Sequence, residues 1–109
     1  MEEELIQYVY QAVKIALTER LGRSGYLPVE EEANDLIFGS RFIIWSNNTD
    51  VVQFAWDGKQ HLFMIEVCDT LPLTIQSNWI MISMTLFNPS FERKTYLTDI
   101  IQRILDSLA

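Results

Sequence analysis

The chain has 109 residues, 49% of them hydrophobic and 21% charged, with 15 Asp and Glu against 8 Lys and Arg for a formal net charge of −7. That length suits one domain with one core, residues 1–109, and that composition belongs to a folded chain rather than a disordered one. With no Lys/Arg cluster to offset the acidic balance, a phosphate backbone or an anionic membrane surface is repelled, so neither nucleic acid nor membrane is expected. A protein partner is expected instead, and basic segments are the ones the field would steer in.

The first predicted element is a helix. Glu2, Glu3 and Glu4 open it, where negative charge favours the amino end of a helix, and Leu5, Val9, Ala12, Val13, Ala16, Leu17 and Leu21 recur as one apolar stripe up to Gly22. From Arg23 to Asp35 the composition turns to that of a loop, RSGYLPVEEEAND, and the run Glu30, Glu31, Glu32 reads as a solvated segment or an acidic contact loop.

Leu36 to Ser46 is rich in β-branched and aromatic residues and predicts a strand, with Gly39 inside it marking a bulge or a close backbone approach. The turn-forming SNNTD joins it to VVQFAW, Asp57, Gly58 and KQHLFMIEVC. Asp-Gly between two apolar runs is a strong hairpin signal, and a two-residue loop pairs Trp56 with Lys59, Phe54 with His61 and Val52 with Phe63. One face then carries Val52, Phe54, Trp56, His61, Phe63, Ile65 and Val67 and is the predicted core.

After Cys68, DTLPLTIQSN reads as a connection with a short edge piece at Leu73 to Ile75. Trp79 to Phe87 predicts the fourth strand: strict alternation puts Ile80, Ile82, Met84 and Leu86 on the covered side and Trp79, Met81, Ser83, Thr85 and Phe87 on the other. Asn88 and Pro89 then start a last helix, striped by Leu97, Ile100, Ile101, Ile104, Leu105 and Leu108. The expected fold is α+β: an N-terminal helix, a four-stranded antiparallel meander and a C-terminal helix, with both helices on one sheet face.

Chemistry finds little foothold. His61 and Cys68 are the only candidates for a Cys/His pair, and seven positions apart on one strand they face opposite ways. One His and one Cys do not make a zinc site, the glutamate run lacks the spacing and glycine of a calcium loop, and no glycine pattern cradles a phosphate. No catalytic residue, metal or cofactor is predicted. Cys68 has no disulfide partner, the N-terminus lacks the basic leader and apolar run of a secretory signal, and no stretch reaches the roughly 18 uncharged apolar residues of a membrane span, so the expected compartment is the cytoplasm.

What remains is a surface. Two helices on one sheet face leave the other exposing Val51, Leu62, Met64, Trp79, Met81 and Phe87, types enriched at interfaces, with an acidic rim. The leading expectation is a non-enzymatic interaction domain, either a homodimer or a subunit of a hetero-complex; an immunity- or antitoxin-type inhibitor or a dedicated chaperone matches it. The competing expectation is a small-molecule-binding protein or enzyme with a pocket between helix and sheet lined by Tyr8, Trp45 and Trp56. A third is a compact acidic monomer whose second face is covered by the 23–35 loop or a helix.

Overall fold

A computed structural model describes residues 2–34, 39–68, 79–87, 99, 102, 103 and 106. Helix α1, Glu2–Gly22, leads into five strands: β1 Leu27–Asn34, β2 Ser40–Ser46, β3 Val51–Asp57, β4 Leu62–Cys68 and β5 Ile80–Leu86. They form one antiparallel sheet in the order β1-β2-β3-β4-β5. The α+β class holds, and the described residues form five strands where four were expected. Among the described residues no helix is long and apolar enough to cross a membrane.

The additional strand is β1, expected as a loop because of its glutamates. A run of charge does not bar an edge strand, which needs partners on one side only, and β1 pairs with β2 from Leu27↔Ser46 to Asn34↔Ser40 with a bulge between Pro28 and Glu30. This places residues 23–34 beside the sheet and not over its second face. Gly39 precedes β2 at φ 71° and so belongs to the turn, not to a bulge within the strand. Likewise the left-handed residue that closes α1 is Gly25, at φ 85°, three residues beyond Gly22; the Tyr26 amide there donates to the Leu21 carbonyl at 3.0 Å.

The central hairpin turns later than Asp-Gly predicts. Gly58–His61 form the loop, so Asp57 faces Leu62, Trp56 faces Phe63 and Phe54 faces Ile65. The cause is local: Asp57 Oδ1 accepts from the amides of Lys59 and Gln60 at 2.9 and 3.0 Å, which winds the chain into a helical turn and leaves His61 to close it at φ 56°. The Gly58 amide donates to Ser40 Oγ at 2.9 Å and fastens the turn to the neighbouring strand. Each partner moves by an even number of residues, so no other side chain changes face. Lys59, Gln60 and His61 all move from strand to loop, and His61, expected on the core side, is exposed there with its ring 5.6 Å from that of Trp56.

The core lies between α1 and the face of the sheet that α1 covers, here the near face. Ile6, Val9, Tyr10, Val13, Leu17 and Leu21 of α1 pack on Ile43, Trp45, Val52, Phe54, Trp56, Phe63 and Ile65. The Phe54 ring stacks between Tyr10 at 5.3 Å and Phe63 at 5.8 Å. Trp45 is wholly buried, and its Nε1 donates to Thr18 Oγ1 at 3.1 Å, which removes the cost of an unpaired indole N–H. Trp45 and Trp56 therefore fill the space between helix and sheet, while Tyr8 turns outward, 46% exposed.

The expected C-terminal helix and the edge piece at Leu73 to Ile75 lie outside the described residues, apart from Asp99, Gln102, Arg103 and Asp106. Those four are helical and exposed, and Gln102 Nε2 donates to Asp106 Oδ1 at 2.8 Å one turn on.

Replacing Phe54 by Ala leaves a void between two rings in a fully buried position and should lower stability by about 3–5 kcal/mol. Urea denaturation checks this, and a loss below about 1 kcal/mol would mean that the stack does not hold α1 on the sheet.

Candidate interaction surface

The sheet's far face can be laid out in cross-strand rows. Glu32, Phe42, Ala55, Met64 and Met84 make one row; Glu30, Ile44, Gln53, Glu66 and Met81 make the next; Leu27, Ser46, Val51 and Cys68 make the last described one. Leu62 and Leu86 pair on the same face beyond the Met64 row.

The six residues expected to form an open apolar face divide into three groups. Val51 is fully buried in a small second core with Ile44 and Cys68, on which Phe42 and the half-buried Trp79 pack; Leu62 is buried as well. Met64 is half-buried and Met81 is 49% exposed. Phe87 belongs to the opposite face, where it is buried with its ring 5.8 Å from Trp56 in an edge-on contact. This face is thus closed around Val51 and exposed along β5.

Strict alternation fails in β5 because the register slips between Ile65 and Glu66. Ile65 faces Ser83 while Glu66 faces Met81, so Ile82 is an extra residue. Beyond the bulge every side chain is inverted relative to the simple count. Met84 and Leu86 stand on the far face, 55% and 64% exposed, and Ser83, Thr85 and Phe87 turn toward the core. No sequence signal marks the bulge: IMISMTL has no glycine or charge at the slip.

Between the apolar rows lies a groove of about 570 Å³, with Ala55 opposite Phe42 and Met64 among the residues that line it. Glu32, Asp57, Lys59 and Glu66 add charge to its walls, and Gln53 Nε2 donates to Glu66 Oε1 at 3.0 Å.

The glutamate run is split by the strand that carries it. Glu31 faces α1: Lys14 Nζ donates to its two carboxylate oxygens at 3.2 and 2.9 Å, and the Tyr10 hydroxyl donates to Oε2 at 3.4 Å. Glu30 and Glu32 take the far face, opposite Ile44 and Phe42. The Arg41 guanidinium lies 5.7 Å from the centre of the Tyr10 ring, within cation–π range. Burial, and then the Glu31 charge, raise the Tyr10 pKa well above the ordinary tyrosine range, and Arg41 opposes them.

His61 and Cys68 end at opposite limits of β4, about 20 Å apart along the strand. Among the described residues no three His, Cys, Asp or Glu side chains converge where a metal ion could sit.

The Tyr10 environment has a pH signature. Above about pH 10 the unfolded chain loses the phenolic proton while the folded chain keeps it, so the stabilising contribution is intact below that pH and is lost as pH climbs toward the folded-state value. Tyr10→Phe should therefore flatten the alkaline fall in stability measured by urea titration. Tyr26, raised by burial and Asp50, leaves a smaller slope behind. An unchanged slope in Tyr10→Phe would refute this account.

Set against protein-family models, curated proteins and solved structures, the chain matches none of them.

Proposed function

We propose that this chain is a protein-interaction domain whose contact surface is the β5 edge together with the far-face side chains beside it. The observation that carries the reading is the exposure of Ile80, Met81, Met84 and Leu86, 63%, 49%, 55% and 64%, along a strand without one charge. Soluble domains normally blunt such an edge with charge, proline or a covering element, and a bare apolar edge offers itself for pairing. The opposite edge, β1, has those protections: Pro28, a bulge and Glu30, Glu31 and Glu32.

The same reading keeps a second amphipathic helix at the C-terminus, since the exposed, helical Asp99, Gln102, Arg103 and Asp106 stand at i, i+3, i+4 and i+7 and would form its polar side. It also keeps a reducing, cytoplasmic setting for the lone buried Cys68.

A photo-cross-linking amino acid placed at position 84 in the source cell should give discrete adducts of protein mass, whereas one at position 15, equally exposed on α1, should not. No adduct at 84, or the same adducts at both positions, would remove the reading.

A second reading rests on the groove beside Ala55, whose volume of about 570 Å³ and mixed lining suit a small amphipathic ligand. A compound that raises the thermal midpoint of the wild type by binding there should lose its effect in Ala55→Trp. Equal shifts in both proteins would exclude the groove.

A further inference from the structure

We propose that the partner at β5 is a second copy of the chain, joined antiparallel along this edge about a two-fold axis so that two five-stranded sheets become one of ten strands. This rests on the preceding reading of β5 as a contact surface and names its occupant.

The case begins with charge. Each molecule carries −7, so two copies repel one another over most of their surfaces, and a basic partner would be steered to the carboxylates. Trp79 to Phe87 holds no charge of either sign. A basic partner gains nothing electrostatic on that strip, whereas for two acidic copies it is the line of least repulsion. The apolar row facing it in a two-fold pairing is its own equivalent.

Backbone geometry is the second support. β5 pairs with β4 on one side, and among the described residues Ile80 to Thr85 make no other strand pairing. An antiparallel edge is self-complementary: rotated by a two-fold axis, the outward N–H groups of one strand meet outward carbonyls of the twin strand, which is the closed, isologous arrangement of most soluble dimers.

The bulge narrows the register. Regular alternation runs from Ser83 to Leu86 and an axis through any residue keeps faces matched; the axis is placed on Met84, the exposed far-face residue with regular neighbours on both sides, so that Met84 meets its own copy on the far face and Ser83 meets Thr85 on the near one. An axis between two residues would set far-face side chains against near-face ones. An axis on Ile82 would pair strands through the irregular step.

Area sets the strength. Taking about 200 Å² for a fully exposed large side chain, the four exposed apolar residues offer roughly 450 Å² per copy, short of the ~800 Å² per partner of a standard stable interface. The dimer is therefore a weak, reversible one.

Sedimentation equilibrium of the purified chain tests this. The wild type should dimerise at tens of micromolar, and more tightly as salt rises, because salt screens the repulsion between two acidic copies. Met84→Lys, on an exposed edge position and checked for folding by circular dichroism, should weaken the dimer at least tenfold. In a Cys68→Ala background, Met84→Cys should oxidise to a single disulfide-linked dimer, since directly opposed residues bring their Cβ atoms within about 5.5 Å, while Ile15→Cys should not. A wild type that stays monomeric at several hundred micromolar overturns the proposal, as does a dimer that Met84→Lys leaves intact or that salt dissolves. If the wild type is monomeric and position 84 still cross-links to a different protein, self-pairing falls and the contact surface stands; if position 84 yields no adduct, both fall.

Discussion

The arrangement depends on the burial of one helical stripe against three adjacent strands. Tyr10, Phe54 and Phe63 are the centre of that contact, a stack running from α1 through β3 to β4, and Val9, Val13 and Leu17 continue it along the helix. A sheet of five short strands is marginal by itself; the helix supplies most of the apolar area that holds β2, β3 and β4 in place. The two outer strands are then free to differ, because neither has to close the core. The Lys14 to Glu31 pair ties α1 to β1, but at an exposed site such a pair contributes at most about 1 kcal/mol. Packing positions the helix, and the ion pair follows.

Much of this frame was legible because side-chain periodicity survives errors in loop length. The Asp57–Gly58 signal located the hairpin, and although the loop proved longer, an even displacement left Val52, Phe54, Trp56, Phe63, Ile65 and Val67 on the predicted face. The helical stripe was found with a slight rotation, Ile6 and Tyr10 entering the core while Ala12 and Ala16 stand at its margin. What escaped was decided by pairing rather than pattern. β1 carries three consecutive glutamates and no strict alternation, and it becomes a strand because β2 offers it an edge. In β5 a single extra residue at Ile82 reversed the assignment of Met84, Leu86 and Phe87, and nothing in an uncharged apolar run marks where such a step falls. Of the six residues expected on an open far face, Met81 is exposed there and Met64 and Trp79 are half-buried, whereas Val51 and Leu62 are buried and Phe87 lies on the other face.

Contrast between the two edges bears on assembly beyond a pair. An edge that pairs with itself is used up in the dimer. An edge that pairs with the opposite edge of the next molecule leaves one strand free at each end, and the sheet can grow without limit. β5 against β1 would be such a head-to-tail contact. It would set the uncharged strip against Glu30, Glu31 and Glu32, and the missing N–H of Pro28 together with the adjoining bulge would break the hydrogen-bond ladder. In the proposed dimer, charge on one edge would do more than solvate it: it would disfavour pairing there and leave pairing to the other edge.

Net charge limits growth in the other direction as well. Face-to-face stacking of sheets needs a flat apolar surface on the far side, and there the largest apolar cluster, around Val51, is already buried within the molecule, while Glu30, Glu32 and Glu66 interrupt the rows that remain. Two −7 chains stacked on that face would bring these carboxylates toward one another with no cation row to oppose them. The exposed apolar side chains of β5 form a narrow strip along one strand, while Ile15 of α1 and Leu27 and Val29 of β1 are exposed elsewhere. A strip one strand wide can hold a neighbouring strand but cannot seat a second sheet, which is why a limited and reversible contact at β5 is the form of association these residues favour over aggregation.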